Sequence, residues 1–213
     1  VLVTAGPTQE AIDPVRFLTN HSTGKMGYAL ATVCMRRGAD VTLVTGPTQT
    51  EKPKFVRMIP VRTAKQMFDA VTEYAGDQDI IIKAAAVADY RPKYQSDEKV
   101  KKQDGELDIE MERTDDILQI PWRPQKRGAV PLRIFHGDRD RCWKTPAKRL
   151  KKKHLDMIVA NNLKVEGAGF GGDTKCRQRS LRNDAEISLG KMTKEETAAH
   201  IVSQILKEQE KRK

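Results

Sequence analysis

Three short apolar runs separated by helical patterns constrain this 213-residue chain more than any other feature. They are Val1 to Thr4 (VLVT), Val41 to Thr45 (VTLVT) and Ile80 to Ala86 (IIIKAAA). Apolar runs of this kind, closed by turn residues, read as strands buried on both faces. Between the first two, Gly24 to Arg37 places Met26, Leu30, Val33 and Cys34 at helical spacing, and Gly38 ends the pattern. Ala64 to Ala75 repeats the pattern with Met67, Val71 and Tyr74, and Phe55 to Ile59 reads as a further strand. The β-α-β-α-β alternation predicts an α/β fold: a three-layer, Rossmann-like, mostly parallel sheet with helices on both faces.

Past Ala88 the pattern loosens. Glu106 to Glu112 (ELDIEME) alternates like an edge strand, and Leu155 to Ala160 (LDMIVA) reads as a buried one. Lys194 to Lys211 reads as an amphipathic helix, with Ile201, Ile205 and Leu206 as its apolar stripe. Thr193 followed by Glu196 predicts a capping box at its start. No repeat or linker divides the chain, so a single domain over residues 1–213 is expected. The chain opens directly in a strand-like run, which suggests a piece of a longer protein.

No apolar run approaches the roughly 18 residues of a membrane span, and no signal peptide is visible. Cys34, Cys142 and Cys176 are too few and too scattered for a disulfide framework or a zinc site. A cytoplasmic setting is expected. The four histidines show no metal-ligand spacing.

Three stretches carry residues suited to chemistry. Thr4 to Gly27 (TAGPTQEAIDPVRFLTNHSTGKMG) leads from a strand through a polar loop into a helix. Ser22, Thr23 and Gly24 can present backbone N–H groups at that helix start, where the dipole favours an anion. An ordinary loop with a capped helix fits the pattern equally. Neither a Walker A loop nor a G-x-G-x-x-G fingerprint is present. Arg16 and Asn20 add a fixed cation and a neutral amide, suited to a carboxylate or phosphate or to loop hydrogen bonding. Ala84 to Pro92 (AAAVADYRP) follows a parallel strand, where ligands bind in open sheets, and its small residues admit a ligand or a closely packed helix. Asp89 suits a ribose hydroxyl, a base amine or a cap. Glu98 to Lys102 (EKVKK) is by itself a solvated charged face.

Taken together, TAGPT-x-E-x-IDPVR-x-x-x-NHSTGKMG, AAAVADYRP, EKVKK and LD-x-IVAN resemble phosphopantothenate–cysteine ligase of the bacterial, CTP-using type. The match is dense from Val1 to about Leu118, and resumes at Leu155 to Thr174 and in the terminal helix. The resemblance implies that 4′-phosphopantothenate attacks the α-phosphate of CTP and releases pyrophosphate. The acyl-cytidylate is then captured by the amine of L-cysteine, with release of CMP. It implies Mg²⁺ with the triphosphate, a homodimer, and in many bacteria fusion to a flavin-dependent decarboxylase. It implies catalytic roles for Asn20, holding the activated carboxyl group, and for Lys99, contacting nucleotide phosphates and supporting cysteine attack. Arg16, Asn20, Ser22, Gly24 and Lys25 fall on the substrate-binding loop. Ala84, Ala85, Asp89, Lys99, Asp116, Ile117, Arg149 and Lys153 fall on nucleotide-binding positions. Thr114-Asp115 replaces an Asn-Pro, and Arg149 replaces a lysine.

The chain departs from the family between residues 120 and 153, which hold 12 Lys or Arg against two Asp, and both tryptophans. This segment supplies the whole net charge of +10. A basic run with Trp122 and Trp143 suits single-stranded nucleic acid. Codon arithmetic offers another reading. Degenerate codons for Arg133 to Arg139, read one nucleotide later, can spell Gly-Phe-Ser-Met-Glu-Thr-Glu. Those for Cys142 to Lys148, read two nucleotides later, can spell Leu-Glu-Asn-Ala-Ser-Lys. Both are family sequence. Residues 120–148 and 175–182 are therefore expected to be out of frame, which makes nucleic acid an unfavoured partner. A nicotinamide-dependent oxidoreductase is disfavoured by the absent glycine fingerprint.

Overall fold

A computed structural model describes residues 1–101, 107–117, 132–138, 155–161, 174–180 and 186–211. Strands β1 (Leu2–Ala5), β4 (Thr42–Thr45), β5 (Arg57–Pro60), β6 (Ile80–Lys83), β9 (Leu132–Asp138), β10 (Met157–Asn161), β11 (Thr174–Ser180) and β12 (Glu186–Met192) form one sheet. Its order is β5-β4-β1-β6-β9-β10-β11-β12. Neighbours from β5 to β10 pair in parallel, and β11 and β12 extend the sheet antiparallel. Two hairpins stand apart from it: β2 (Gln9–Ala11) with β3 (Phe17–Thr19), and β7 (Tyr90–Pro92) with β8 (Met111–Arg113).

The apolar runs form strands because both of their faces are covered. Successive strand residues point to opposite faces. Val3, Leu43, Ile80 and Ile82 pack on one side with helix α1 (Lys25–Arg36) and the terminal helix α3 (Lys194–Glu210). Leu2, Val44 and Ile81 pack on the other with α2 (Ala64–Ala75). The expected α/β class and three layers are what the sheet and its helices show.

Element ends differ by a few residues from the expected ones. The first helix runs from Lys25 to Arg36, and the strand after α2 stops at Lys83. Thr193 and Glu196 form the expected capping box. The stripe of α3 is Ala198, Ile201, Val202 and Ile205, whereas Leu206 is exposed. Leu206, at i+8 from Ala198, falls at the edge of this stripe, and the burial of Thr197 and Glu208 turns the covered face of the helix away from it. The edge strand expected over 106–112 is shorter, Met111–Arg113, and pairs with β7 rather than with the main sheet.

Cys34 is 4% exposed, on the core-facing side of α1. Burial pushes its thiol up to about 11. The thiolate is the nucleophile, so Cys34 is expected to resist iodoacetamide at pH 8 in the native protein and to react once unfolded. Peptide mapping after a short pulse checks this, and rapid native labelling of Cys34 would contradict it.

Candidate functional site

The order of the sheet reverses between β1 and β6, and open α/β sheets bind ligands outside the carboxyl ends of their strands at such a point. Here the chain continues β1 and β6 side by side beyond the regular strands. Ala84 N donates to Thr4 O at 3.1 Å, Ala86 N to Gly6 O at 2.9 Å, and Thr8 N to Ala86 O at 3.2 Å. The hydroxyls of Thr4 and Thr8 accept from Ala85 N at 3.2 Å and Ala88 N at 3.0 Å. Both threonines are buried. They hold the AAAVA segment extended, with only small side chains along it.

Onto this floor the polar loop lays Asn20. Its Nδ2 donates to Ala86 O at 2.7 Å, and its Oδ1 accepts from Ser22 N at 3.3 Å. The Ser22 hydroxyl accepts from Gly24 N at 3.3 Å. Helix α1 begins after Gly24, which is left-handed (φ 76°), with no side-chain cap and no acid in the first turn. Thr48 and Thr50 brace this start by donating to Thr23 O at 2.6 and 2.9 Å. The structure thus brings Asn20, Ser22 and Gly24 together with Ala84 and Ala85, and leaves Lys25 exposed in the first turn. An anion placed at this helix start would meet backbone N–H groups and the positive end of the dipole.

The glycine spacing absent from the sequence is present in space. Gly6 turns the chain after β1, and Gly27 lets α1 lie on β1: a Cβ there would sit 2.5 Å from Ala5 Cβ. In a G-x-G-x-x-G loop these two tasks fall within six residues. Here the β2–β3 hairpin separates them.

Arg16 is placed differently from a free substrate-binding cation. Its Nε and Nη2 donate to Asp13 Oδ2 at 2.9 and 2.6 Å, and Nη2 also donates to Val100 O at 2.9 Å. Asp13 is buried. Its Oδ1 accepts from Val15 N at 2.8 Å and Arg16 N at 2.7 Å, and its Oδ2 from Val100 N at 3.1 Å. The Arg16 side chain and these N–H donors hold the Asp13 carboxyl far below the usual carboxylate range. With a folded pKa below the unfolded value of about 3.9, the Asp13 bonds contribute stability fully above that pH. The contribution fades only as pH falls below it, toward the folded value. Lys99, one residue before Val100, is exposed.

On the other side, Thr114 takes the place of the expected Asn and ties its segment to the floor. Thr114 N donates to Asp89 O at 3.1 Å, and its hydroxyl to Ala88 O at 2.5 Å. Asp89 is exposed, and Asp116 lies near the end of this docked segment. Ile117 was expected at the nucleotide. Its side chain is instead 6% exposed in the α2-side core, and its carbonyl accepts from Lys83 Nζ. Arg149 and Lys153 lie outside the described residues. Sequence reasoning missed Thr4, Thr8, Asp13 and Lys83. Only Asp13 left a signal there, as an acid three residues before Arg16, and Lys83 read as part of an apolar strand.

Among the described residues, no group of three or more His, Cys, Asp or Glu converges as a metal cage. No helix among them is long and apolar enough to cross a membrane.

The sheet order, its reversal between β1 and β6, and the uncapped helix start beside their paired extensions define a doubly wound, Rossmann-like α/β domain. The chain belongs to the family of the DNA/pantothenate metabolism flavoprotein C-terminal domain, whose model matches residues 1–209. It is 44% identical over 206 residues to the coenzyme A biosynthesis bifunctional protein CoaBC of Bacillus subtilis (strain 168), covering 96% of this chain. The chain spans about half the length of that relative, 50%. The crystal structure of the C-terminal domain of a CoaBC protein is 40% identical to it, with a TM-score of 0.80, covering 99% of this chain and 96% of that one. A mutant of Cab2 in complex with phosphopantothenate-cysteine shares the fold at 16% identity, with a TM-score of 0.76, over 99% of this chain and 86% of that one.

Proposed function

We propose that this chain is the phosphopantothenate–cysteine ligase domain of a coenzyme A biosynthesis protein. It joins 4′-phosphopantothenate to L-cysteine by way of an acyl-cytidylate formed from CTP. The observation that carries this reading is the Asn20 amide, fixed on the Ala86 carbonyl at the switch point beside the bare start of α1. An amide held there suits an activated carboxyl group, and the adjoining helix start suits its phosphate. The family and the CoaBC relatives support a place in coenzyme A biosynthesis, and the Cab2 mutant in complex with phosphopantothenate-cysteine shares the fold.

Catalysis of this kind is mainly positioning and charge stabilisation. Asn20 orients the acyl group, Ser22, Gly24 and Lys25 receive substrate anions, and Ala84, Ala85 and Asp89 line the nucleotide side. Lys99 reaches the nucleotide phosphates and the Asp116–Ile117 backbone serves the nucleotide; Arg149 and Lys153 enter this reading through the family resemblance alone. Mg²⁺ would ride on the triphosphate oxygens and water, as is common for this ion. The protein is cytoplasmic, a homodimer, and one half of a fusion with a flavin-dependent decarboxylase.

Residues 120–148 and 175–182 are out of frame in this reading. Strand β9 supports it. It pairs on both sides within the parallel part of the sheet, with β6 and β10, yet its run contains Arg133, His136 and Asp138. Parallel strands inside a sheet are ordinarily almost continuously apolar. Resequencing should recover G-F-x-x-E-T-E near Arg133, and intact mass should depart from 24.0 kDa. A gene encoding FHGDRD in frame ends this idea.

Pyrophosphate release that requires CTP, phosphopantothenate and the chain together tests the function, with the ligated thiol product measured after cysteine is added. ATP and NADPH serve as comparison ligands. No pyrophosphate above background with CTP would overturn the reading.

A further inference from the structure

We propose that Asp13 and Arg16 are positioning residues: they clamp the backbone of Val100 from both sides and so hold the Lys99 segment on the β2–β3 hairpin that ends in Asn20. The Val100 N–H donates to Asp13 Oδ2 at 3.1 Å, and Arg16 Nη2 donates to Val100 O at 2.9 Å. The two side chains are themselves locked by the Nε and Nη2 fork on Asp13. A paired carboxylate and guanidinium thus read one peptide donor and one peptide acceptor 84 to 87 residues away. A third bond continues the seam, from Ser96 N to Ile12 O at 3.0 Å.

The hairpin is fixed to the body at its base. Gln9 N donates to Arg62 O at 2.8 Å, Thr19 Oγ1 to Thr8 O at 2.8 Å, and Glu10 Oε1 accepts from Ala64 N at 2.9 Å. Its tip, Ile12 to Arg16, carries the clamp. Its last strand, Phe17–Thr19, delivers Asn20 to Ala86. One rigid element therefore places both Asn20 and the backbone beside Lys99. The Lys99 side chain stays exposed, so the clamp fixes its root and leaves its ammonium free to reach a ligand. Charge-assisted bonds of this kind are about twice as strong as neutral ones, which suits a tether on an otherwise exposed segment. The anchoring stands on geometry alone. Its consequence for Lys99 rests on the proposed function.

Hydrogen exchange read by mass spectrometry on the intact chain tests the anchor without any substrate. Asp13→Ala and Arg16→Ala should each speed exchange at Val100 at least tenfold and leave amides of β1, β4 and β6 unchanged. Val100→Ala keeps both backbone bonds and should exchange like the parent. Unchanged exchange in the two clamp variants, or release in Val100→Ala, overturns the proposal. Should Asp13→Ala fail to fold, the half-exposed Arg16→Ala decides alone.

A double-mutant cycle then tests the link to Lys99. Arg16→Ala should lower product formation by about a hundredfold in the parent, the scale of a misplaced catalytic group. In a Lys99→Gln background it should cost less than threefold. Additive losses overturn the positioning role, because a merely structural residue would cost the same in both backgrounds. A parent chain that makes no pyrophosphate sinks the functional reading and leaves the exchange result standing.

Discussion

Asn20→Ala is expected to lower CTP-dependent product formation by about a hundredfold or more, the loss seen when one preorganised donor is removed from a developing charge. The structure makes the argument specific. The Asn20 amide is oriented by two opposite contacts: its nitrogen gives a hydrogen to Ala86 O at 2.7 Å, and its oxygen takes one from Ser22 N at 3.3 Å. One Nδ2 hydrogen is fixed by Ala86, which leaves the second to point elsewhere. Alanine removes both the orientation and the free donor. Asn20→Asp keeps an acceptor for Ser22 but loses the donor to Ala86 and brings a negative charge toward an anionic substrate. It should lose as much activity as alanine. Neither change should alter stability by more than about 1 kcal/mol, since one or two partly exposed hydrogen bonds are at stake. Thermal unfolding and initial rates separate the two effects. A tenfold or smaller loss in both variants would show that Asn20 does not hold the reacting group.

The helices and central strands were legible because burial writes a period into the sequence. In Ala64 to Ala75, Met67 and Val71 stand four residues apart on the buried side, and Thr193 with Glu196 marks the start of the terminal helix. The strands of IIIK and VTLVT were legible because both faces are covered. The β2–β3 hairpin was not legible. Its strands are three residues each, and Phe17, Leu18 and Thr19 are all exposed, so no alternation appears. The clamp on Val100 was invisible for a related reason. It reads peptide groups rather than side chains, and peptide groups leave no trace in composition. The basic segment misled in the opposite direction: it looks like a nucleic-acid arm while its place at β9 is inside the sheet.

Gly46→Ala should be strongly destabilising, at about 3 kcal/mol or more. The sequence shows Gly46 only as the end of VTLVT. In space it is the point where the turn after β4 meets the turn after β1. A Cβ there would stand 1.7 Å from Pro7 O and 2.8 Å from Pro7 C. The clash is with backbone, so no rotamer change relieves it. Moving Pro7 is costly in turn. Gly46 N already donates to Ala5 O at 3.0 Å, and Pro7 is paired with Ala86 in the bridge that extends the sheet. Displacing that turn also disturbs Thr8, whose N–H shares Ala86 O with Asn20. Stability and the site therefore fail together. For a chain of this size the loss corresponds to a fall in Tm of roughly 10 °C. Gly38→Ala is the control. Gly38 is also left-handed, with φ 84°, but a Cβ there meets nothing within 4 Å. It should cost only the conformational strain, about 1 kcal/mol, and leave the rate unchanged. Equal melting points for the two variants would show that the crossing of the β1 and β4 turns is looser than these distances require.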